Sequence, residues 1–264
     1  MFANCLKEVQ QYTHPVIISR QYYNGIVEFG CGTFIILNDE GWILTAAHIL
    51  NTLLAYNKQK AENISEPQCI KNYSYWWGFD GVSISTYICD EARDIAIGKI
   101  DNFNKDFFNT YPTLKNPNSE MLSGTSLCKL GFPFHEIGGT YSEEQSSFQL
   151  REGTLPMTFF PLDGICTRFI YRKDNRNNRD IKFVETSTPG LRGQSGGPIF
   201  DRNGHVWAMQ SYTAHLPLGF NPSVYYGNEQ VHEYQFLNVG CGTHVEEIIS
   251  FLKDNNIKFQ VSEG

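Results

Sequence analysis

Long apolar runs are missing from this sequence. None of its stretches approaches the roughly 18 consecutive apolar residues that a membrane-spanning helix needs. The N-terminal segment, Met1 to Gln10, also lacks the basic region and apolar core of a secretory signal. These two absences predict a cytoplasmic protein with no membrane partner.

Cysteine is present, but not in the patterns that build disulfide frameworks or zinc sites. Seven cysteines, an odd number, are scattered along the chain without a Cys-x-x-Cys pair: Cys5, Cys31, Cys69, Cys89, Cys128, Cys166 and Cys241. Cys241 and His244 stand close together, but no second pair has matching spacing. We therefore expect reduced thiols and no metal site.

Positive charge is in deficit. The chain has 21 Lys and Arg against 28 Asp and Glu, which gives a net charge of −7 and a pI near 5.5. A nucleic-acid partner is not expected, because binding phosphates requires a basic surface that displaces counterions. The segment from Tyr171 to Asp180 is locally basic and rich in Asn. We interpret it as a hairpin tip, with a grip on an acidic ligand as the alternative.

Short apolar runs bounded by turn residues recur through most of the sequence and predict antiparallel strands. The first set comprises Val16–Ser19, Ile26–Phe29, Thr33–Leu37, Trp42–Ala46, Val82–Ile88 and Ile95–Ile100. A polar connection, residues 101–120, separates it from the second set. The second set comprises Ser126–Phe132, Ser147–Leu155, Gly164–Tyr171, Ile181–Thr186, Pro198–Phe200 and His205–Tyr212. The turn sequences Asn38–Gly41 and Asp201–Gly204 predict hairpin loops.

The end of the chain has a different pattern. Val245, Ile248, Ile249 and Leu252 recur at helical spacing, which predicts an amphipathic helix at about residues 244–255. We expect an all-β N-terminal unit at residues 1–112 and an all-β C-terminal unit at residues 113–264 that ends in this helix. Only 69 residues follow Ser195, so no appended peptide-binding domain is expected.

Three short segments carry the chemistry: Gly193–Pro198 (Gly-Gln-Ser-Gly-Gly-Pro), Leu44–His48 (Leu-Thr-Ala-Ala-His) and Arg93–Ala96 (Arg-Asp-Ile-Ala). A serine flanked by glycines can present both its hydroxyl and its backbone N–H to a substrate. The hydroxyl needs a base to take its proton, and the base needs a carboxylate to fix its tautomer. Ser195, His48 and Asp94 fit these three roles.

With these motifs in the order His, Asp, Ser, the chain resembles the trypsin/chymotrypsin-type serine proteases. The segments Gly32–Ile36, Gly41–Thr45 and Asp94–Ile100 are more similar to bacterial, HtrA-type members without a PDZ domain than to digestive enzymes. The resemblance spans roughly residues 25–215.

The resemblance implies two six-stranded antiparallel barrels with the active site between them, His48 and Asp94 on the first and Ser195 on the second. It implies an oxyanion hole formed by the backbone N–H groups of Gly193 and Ser195. It also implies a substrate-binding set: Pro189, Gly190, Leu191, Arg192, Ser211, Tyr212 and Thr213. No acidic residue lies at the pocket base, so a small or medium apolar residue before the cleaved bond is expected. Arg192 is either a simple surface arginine or an attractor of acidic substrates.

The chain departs from the digestive pattern at two positions. Gln194 stands where those enzymes have the aspartate that pairs with a newly cut N-terminus, so activation by that ion pair is not available. Ile49 stands where secreted members have a disulfide cysteine, which supports a reducing compartment. One hypothesis is that an activating partner protein or a ligand orders the oxyanion loop.

The expected function is that of a serine endopeptidase acting on a protein or peptide substrate without a metal or cofactor. Two alternatives stay open. The first is a protease fold that serves as a binding or scaffold module with a latent or partner-activated triad. The second is an esterase that uses the same three residues.

Overall fold

The first sheet of the fold holds the N-terminal strands. The structure, a computed structural model, describes residues 2–51, 69–76, 82–220, 223–232 and 235–263. Six antiparallel strands form this sheet: β1 (Thr13–Tyr22), β2 (Val27–Ile36), β3 (Trp42–Thr45), β4 (Cys69–Trp76), β5 (Ile84–Asp90) and β6 (Ile95–Ile100). Their spatial order is β4-β1-β2-β3-β6-β5. The predicted turn at Asn38–Gly41 joins β2 to β3 and is confirmed.

The second sheet closes on itself. Its strands are β7 (Thr113–Leu114), β8 (Ser126–Gly131), β11 (Phe160–Asp174), β12 (Arg179–Thr186), β13 (Pro198–Phe200), β14 (Val206–Pro217), β17 (Phe236–His244) and β18 (Gln260–Val261). Six of them follow the order β13-β8-β11-β12-β17-β14, and the pairing of β13 with β14 completes a ring. The short strands β7 and β18 extend the sheet from β14 by parallel pairings.

Smaller elements complete the fold. Two separate hairpins consist of β9 (Gly139–Ser142) with β10 (Ser147–Leu150), and of β15 (Ser223–Tyr226) with β16 (Glu229–His232). The helices are an N-terminal one at Ala3–Val9, a 3-10 turn at Lys105–Phe107 and a C-terminal one at Val245–Asp254. Residues 47–51 are also helical. The predicted all-β class with a C-terminal helix is confirmed.

Some strands differ from the prediction in length. The run Ser147–Leu155 is a strand only to Leu150, because a turn with Gly153 at φ 83° follows. The run Gly164–Tyr171 lies inside the longer β11, which pairs with β8 through its first half and with β12 through its second. The segment from Tyr171 to Asp180 forms the tip of the β11–β12 hairpin, as predicted.

Both ends of the chain cross between the two sheets. The N-terminal helix packs on the second sheet, where the rings of Phe2 and Phe200 meet edge to face at 5.9 Å. The C-terminal segment returns to the first sheet, where Asn38 Nδ2 donates to the carbonyl of Lys258 at 2.8 Å. One continuous buried cluster includes Phe34 of β2 and Leu252 of the C-terminal helix. The division at residues 112 and 113 therefore stays a prediction, and packing across it is extensive.

None of the helices in the described residues has the combination of length and apolarity that crossing a bilayer requires.

A lysine lies inside the second sheet. Lys129 of β8 is 1% exposed. Its ammonium donates to Thr186 Oγ1 at 2.9 Å, to the carbonyl of Thr188 at 2.5 Å and to the carbonyl of Pro189 at 2.9 Å. Burial lowers the pKa of Lys129 to about 7, because the charged form loses hydration. The ammonium thus connects β8 to Thr188 and Pro189, at the start of the segment that leads to Ser195.

The buried lysine predicts how stability depends on pH. In the unfolded chain this lysine titrates near 10.5, so between pH 7 and 10 the unfolded state binds more protons than the native state. The contribution of Lys129 to the free energy of unfolding should therefore rise with pH in that window, with a slope approaching about 1.4 kcal/mol per unit. Lys129→Met should lose this rise, whereas Lys105→Met, at an exposed position, should keep it. Urea denaturation at pH 7, 8.5 and 10 measures the free energy of unfolding of each protein. If that free energy changes with pH in the same way for wild type and Lys129→Met, the predicted contribution of Lys129 is wrong.

Candidate functional site

The predicted base and its carboxylate are in direct contact. His48 lies in the helical segment that follows β3, and Asp94 lies in the turn between β5 and β6. His48 Nδ1 donates to Asp94 Oδ2 at 2.9 Å and lies 3.1 Å from Oδ1. The backbone N–H of His48 also donates to Asp94 Oδ1, at 3.0 Å. Because a carboxylate only accepts, this pairing puts the ring proton on Nδ1 and leaves Nε2 as the basic nitrogen.

Asp94 is held from both sheets. Its φ of +53° lies in the left-handed region, which aspartate tolerates better than most residues. Ser211 of β14 donates a short hydrogen bond from its hydroxyl to Asp94 Oδ2. Burial opposes ionisation of this carboxyl, but the hydrogen bonds from His48 and Ser211 outweigh it, so the pKa of Asp94 lies below its ordinary value. Asp94 is therefore a stable anion beside the histidine.

The serine lies in a tight loop between β12 and β13. Gly193 and Gly196 flank it with φ of +98° and +85°. A side chain at Gly193 would place Cβ 2.4 Å from the carbonyl oxygen of Phe132, and one at Gly196 would place it 2.0 Å from the carbonyl oxygen of Thr33. Both the backbone angles and the close approach require glycine here.

A threonine of the first sheet fixes the carbonyls of this loop. Thr33 of β2 donates from its hydroxyl to the carbonyl of Gly193 at 2.6 Å and from its N–H to the carbonyl of Ser195 at 2.8 Å. The backbone N–H groups of Gly193 and Ser195 donate to none of the residues that the structure describes. Within the described residues both N–H groups are thus unoccupied donors, which an oxyanion hole requires.

Gln194 crosslinks the same loop from within. Its side chain is fully buried. Its Oε1 accepts from the N–H of Leu191 at 2.9 Å, and its Nε2 donates to the carbonyl of Phe160 at 3.4 Å. A neutral amide thus occupies the position at which the digestive enzymes place an aspartate.

Ser195 and His48 share a large cavity. The cavity has a volume of about 1050 Å³ and also borders Gly193. The hydroxyl of Ser195 is partly buried and donates to the carbonyl of Ser211 at 3.4 Å. The three residues predicted from the motifs therefore lie together.

Two segments supply the predicted pocket residues, and these segments are in contact through Gly190 and Thr213. Thr213 donates from its hydroxyl to the carbonyl of Gly190 at 2.5 Å. Gln210, 1% exposed, fills the space behind them, because a Cβ at Gly190 would lie 2.1 Å from its Nε2. That amide donates to the carbonyl of Tyr212 at 2.9 Å. Pro189 is the residue whose carbonyl binds the buried lysine.

Among the described strands, none pairs with one of the two edges of the segment Ser211–Thr213. β14 pairs with β17 as far as Pro217, but the ladder that joins its opposite edge to β13 ends at Met209. The ring of Tyr212 lies under the Arg172 guanidinium at 4.7 Å from the ring centroid. Leu191 and Arg192 border the cavity, and Arg192 is exposed.

Sequence reasoning missed several residues that shape the site. The roles of Thr33, Lys129 and Gln210 depend on contacts between distant segments, and no local motif marks them. Ser211 was predicted only as part of the substrate-binding set, and its hydroxyl also donates to Asp94. Among the described residues, no group of three or more His, Cys, Asp and Glu side chains could hold a metal ion.

Comparison with known proteins agrees with this geometry. A family profile described as a trypsin-like peptidase domain matches residues 31–209. No curated protein sequence is significantly similar to this chain.

Two solved protease structures have the same fold. One is the crystal structure of the Rv3671c protease from M. tuberculosis in its active form, with a TM-score of 0.53 and 14% identity over 98% of this chain and 86% of that one. The other is the HtrA-type protease AlgW with a tripeptide, with a TM-score of 0.51 and 14% identity over 96% of this chain. The present chain spans 63% of the length of that AlgW chain. At this identity the two likenesses show the fold alone. The family profile covers more than half of the sequence, and the chain therefore belongs to the trypsin-like peptidase family.

Proposed function

We propose that the protein is a serine endopeptidase in which Ser195 is the nucleophile, His48 the general base and acid, and Asp94 the residue that orients His48. The observation that carries the proposal is the bond between His48 Nδ1 and Asp94 at 2.9 Å, in a cavity that Ser195 also borders. The pairing fixes the tautomer in which Nε2 accepts the serine proton. The anionic Asp94 stabilises the imidazolium that results.

The reaction requires one rotation and no added group. The hydroxyl of Ser195 leaves the carbonyl of Ser211 and turns toward His48. As Oγ attacks the substrate carbonyl carbon, its proton moves to Nε2, and the oxyanion is bound by the N–H groups of Gly193 and Ser195. His48 then protonates the leaving amine, which gives an acyl-enzyme. A water molecule, deprotonated by His48, hydrolyses the ester and restores Ser195.

The open edge of β14 supports a peptide substrate. An extended peptide could add to Ser211–Thr213 as a further strand, a mode in which main-chain hydrogen bonds supply affinity. Behind this edge the contact between Thr213 and Gly190, with Gln210 underneath, leaves little depth for a side chain. We propose that the residue before the cleaved bond is glycine, alanine or serine. This is narrower than the small or medium apolar residue expected from the sequence.

A second candidate function rests on one contact. Because the hydroxyl of Ser195 donates to the carbonyl of Ser211, a latent triad in a protease-fold binding module has structural support. An activating partner and a cytoplasmic location both stay predictions. The cytoplasmic location is supported by the six cysteines whose side chains are described, because all six are free thiols.

Active-site labelling distinguishes the two functions. After treatment with a fluorophosphonate, intact mass spectrometry should find a single adduct on wild type. Ser195→Ala should carry no adduct, and His48→Ala should react at least about a hundredfold more slowly, because the base is lost. Full labelling with no added protein would count against an activating partner. An unlabelled wild type with correctly folded circular dichroism would favour the latent module.

Thr33 acts as a positioning residue for the oxyanion donors. Thr33→Val keeps the shape but removes the hydroxyl that binds the carbonyl of Gly193, so the loop can reorient. We expect kcat to fall about tenfold with KM nearly unchanged, below the roughly hundredfold cost of losing a donor outright. Thr33→Ser should restore kcat. Equal kcat values for wild type and Thr33→Val would show that the Thr33 hydroxyl does not position the oxyanion donors.

The narrow pocket has its own test. Thr213→Gly removes the side chain that contacts Gly190, so substrates with leucine before the cleaved bond should gain about tenfold or more in kcat/KM relative to those with alanine. Thr213→Ser keeps the hydroxyl and should retain the wild-type preference. Efficient cleavage after leucine or phenylalanine by wild type would show that the pocket is open in solution.

A further inference from the structure

The cavity beside Ser195 is bordered by a different set of elements from the strand proposed to bind the residues before the cleaved bond. Its walls come from β1, β2, the segment 132–138, Arg151 and the loop 191–193. The strand segment Ser211–Thr213, which holds the residues before the cleaved bond in the proposed function, does not border it. A peptide that passes Ser195 from that strand must therefore continue into the cavity. This inference rests on the proposed function for its direction.

Three arginines border the cavity, Arg20, Arg151 and Arg192. Arg20 lies 3.7 Å from Glu28, and that carboxylate also accepts from the hydroxyl of Tyr22 at 2.7 Å. Arg151 and Arg192 form no ion pair within the described part of the chain. Two permanent positive charges thus have no counterion among the described residues, in a protein of net charge −7.

Arg151 is held at the cavity wall by its backbone. Its N–H donates to the carbonyl of Gly138 at 2.7 Å, at the base of the β9–β10 hairpin. Its guanidinium lies against the same glycine, where an added Cβ would be 2.9 Å from Nη2 and 3.1 Å from Cζ. The missing side chain at position 138 therefore makes room for this group. Arg192 is exposed and lies between Leu191, whose N–H binds Gln194 Oε1, and Gly193, whose carbonyl binds Thr33.

The remaining titratable side chains limit the charge of the cavity. Glu136 is exposed at its edge, His135 lies 2.7 Å through Nε2 from the carbonyl of Thr158, and Cys31 is a thiol whose burial raises its pKa to about 12. With Glu28 beside Arg20, the fixed charges leave a net excess of about one positive charge. That excess fits one acidic side chain and not a long acidic tract.

We propose that this cavity selects substrates with an aspartate or glutamate within the first three residues after the cleaved bond, bound by Arg151 and Arg192. Guanidinium groups bind carboxylates through paired, charge-assisted hydrogen bonds. Those bonds are stronger in a partly enclosed cavity than on an open surface. The preference for an acidic residue therefore arises in the cavity, which binds the part of the substrate that follows the cleaved bond.

The test uses three quenched fluorescent peptides that are identical up to an alanine before the cleaved bond. The three residues that follow contain one glutamate, one glutamine or one lysine. Wild type should cleave the glutamate peptide with a kcat/KM about tenfold above that of the glutamine peptide, and the lysine peptide more slowly still. Raising the salt concentration from 0.05 M to 0.5 M should reduce this preference, because ions screen the charges.

Variants identify the groups that carry the preference. Arg151→Gln and Arg192→Gln should each lower the ratio of kcat/KM for the glutamate peptide to that for the glutamine peptide, and the double variant should cleave both equally. Arg202→Gln is the matched control, because that guanidinium binds Ser126 Oγ outside the cavity. Equal cleavage of the two peptides by wild type, or a preference that persists in the double variant, would overturn the proposal.

Binding separates this proposal from the proposed function. Ser195→Ala is used with the same peptides labelled for fluorescence anisotropy, so no cleavage is needed. Tighter binding of the glutamate peptide, lost in the Ser195→Ala variant that also carries both arginine substitutions, supports the acidic preference even if wild type cleaves nothing. Cleavage without any difference in binding or rate would leave the peptidase intact and remove the acidic preference.

Discussion

The contact between Thr33 and the serine loop is the constraint on which the site depends. One residue of the first sheet binds the carbonyls of Gly193 and Ser195. In a trans peptide the N–H points away from the adjoining carbonyl, and the N–H groups of these two peptide units, those of Gln194 and Gly196, donate to the carbonyls of Leu191 and Gln210. Both peptide units are thus fixed from two directions, and the unit that carries the N–H of Ser195 lies between them. The hydroxyl of Thr45 in turn donates to the carbonyl of Thr33 at 2.8 Å, so the contact is anchored in the core of the first sheet.

The carboxylate side of the site depends on the reverse arrangement. Asp94 belongs to the first sheet, but residues from the second half of the chain hold it and its neighbour. Thr243 donates from its hydroxyl to the carbonyl of Arg93 at 2.7 Å, and the Arg93 side chain lies 3.5 Å from Glu247 of the C-terminal helix. Partly buried charges of this kind stabilise a fold only when each has a partner, and Glu247 also binds Arg179 at 3.0 Å. Each sheet thus positions groups that belong to the other.

The sequence was sufficient for the parts of the site that are local. Glycines at positive φ around Ser195, strands bounded by turn residues and the amphipathic pattern ending the chain all reflect neighbours within a few residues. The roles of Lys129 and Gln210 could not be predicted. No local pattern indicates that a lysine in an apolar strand is buried, and the acceptors of Lys129 lie 57 to 60 residues away in the sequence. β17 was missed for a related reason: it contains glycines at 240 and 242 that weaken a strand pattern but permit close contact with β14.

The two sides of Ser195 differ in what they offer a substrate. On the β14 side, Thr213 and Gly190 are in contact, so a side chain there buries little area and contributes little affinity. Main-chain pairing along β14 gives affinity that is nearly independent of sequence. Under the proposed function, discrimination then comes from the opposite side, where a cavity of about 1050 Å³ borders Arg151 and Arg192, neither of which forms an ion pair with the described residues. A peptide can reach both sides at once only in an extended conformation, which favours loops and unfolded segments over folded surfaces as the sites of cleavage.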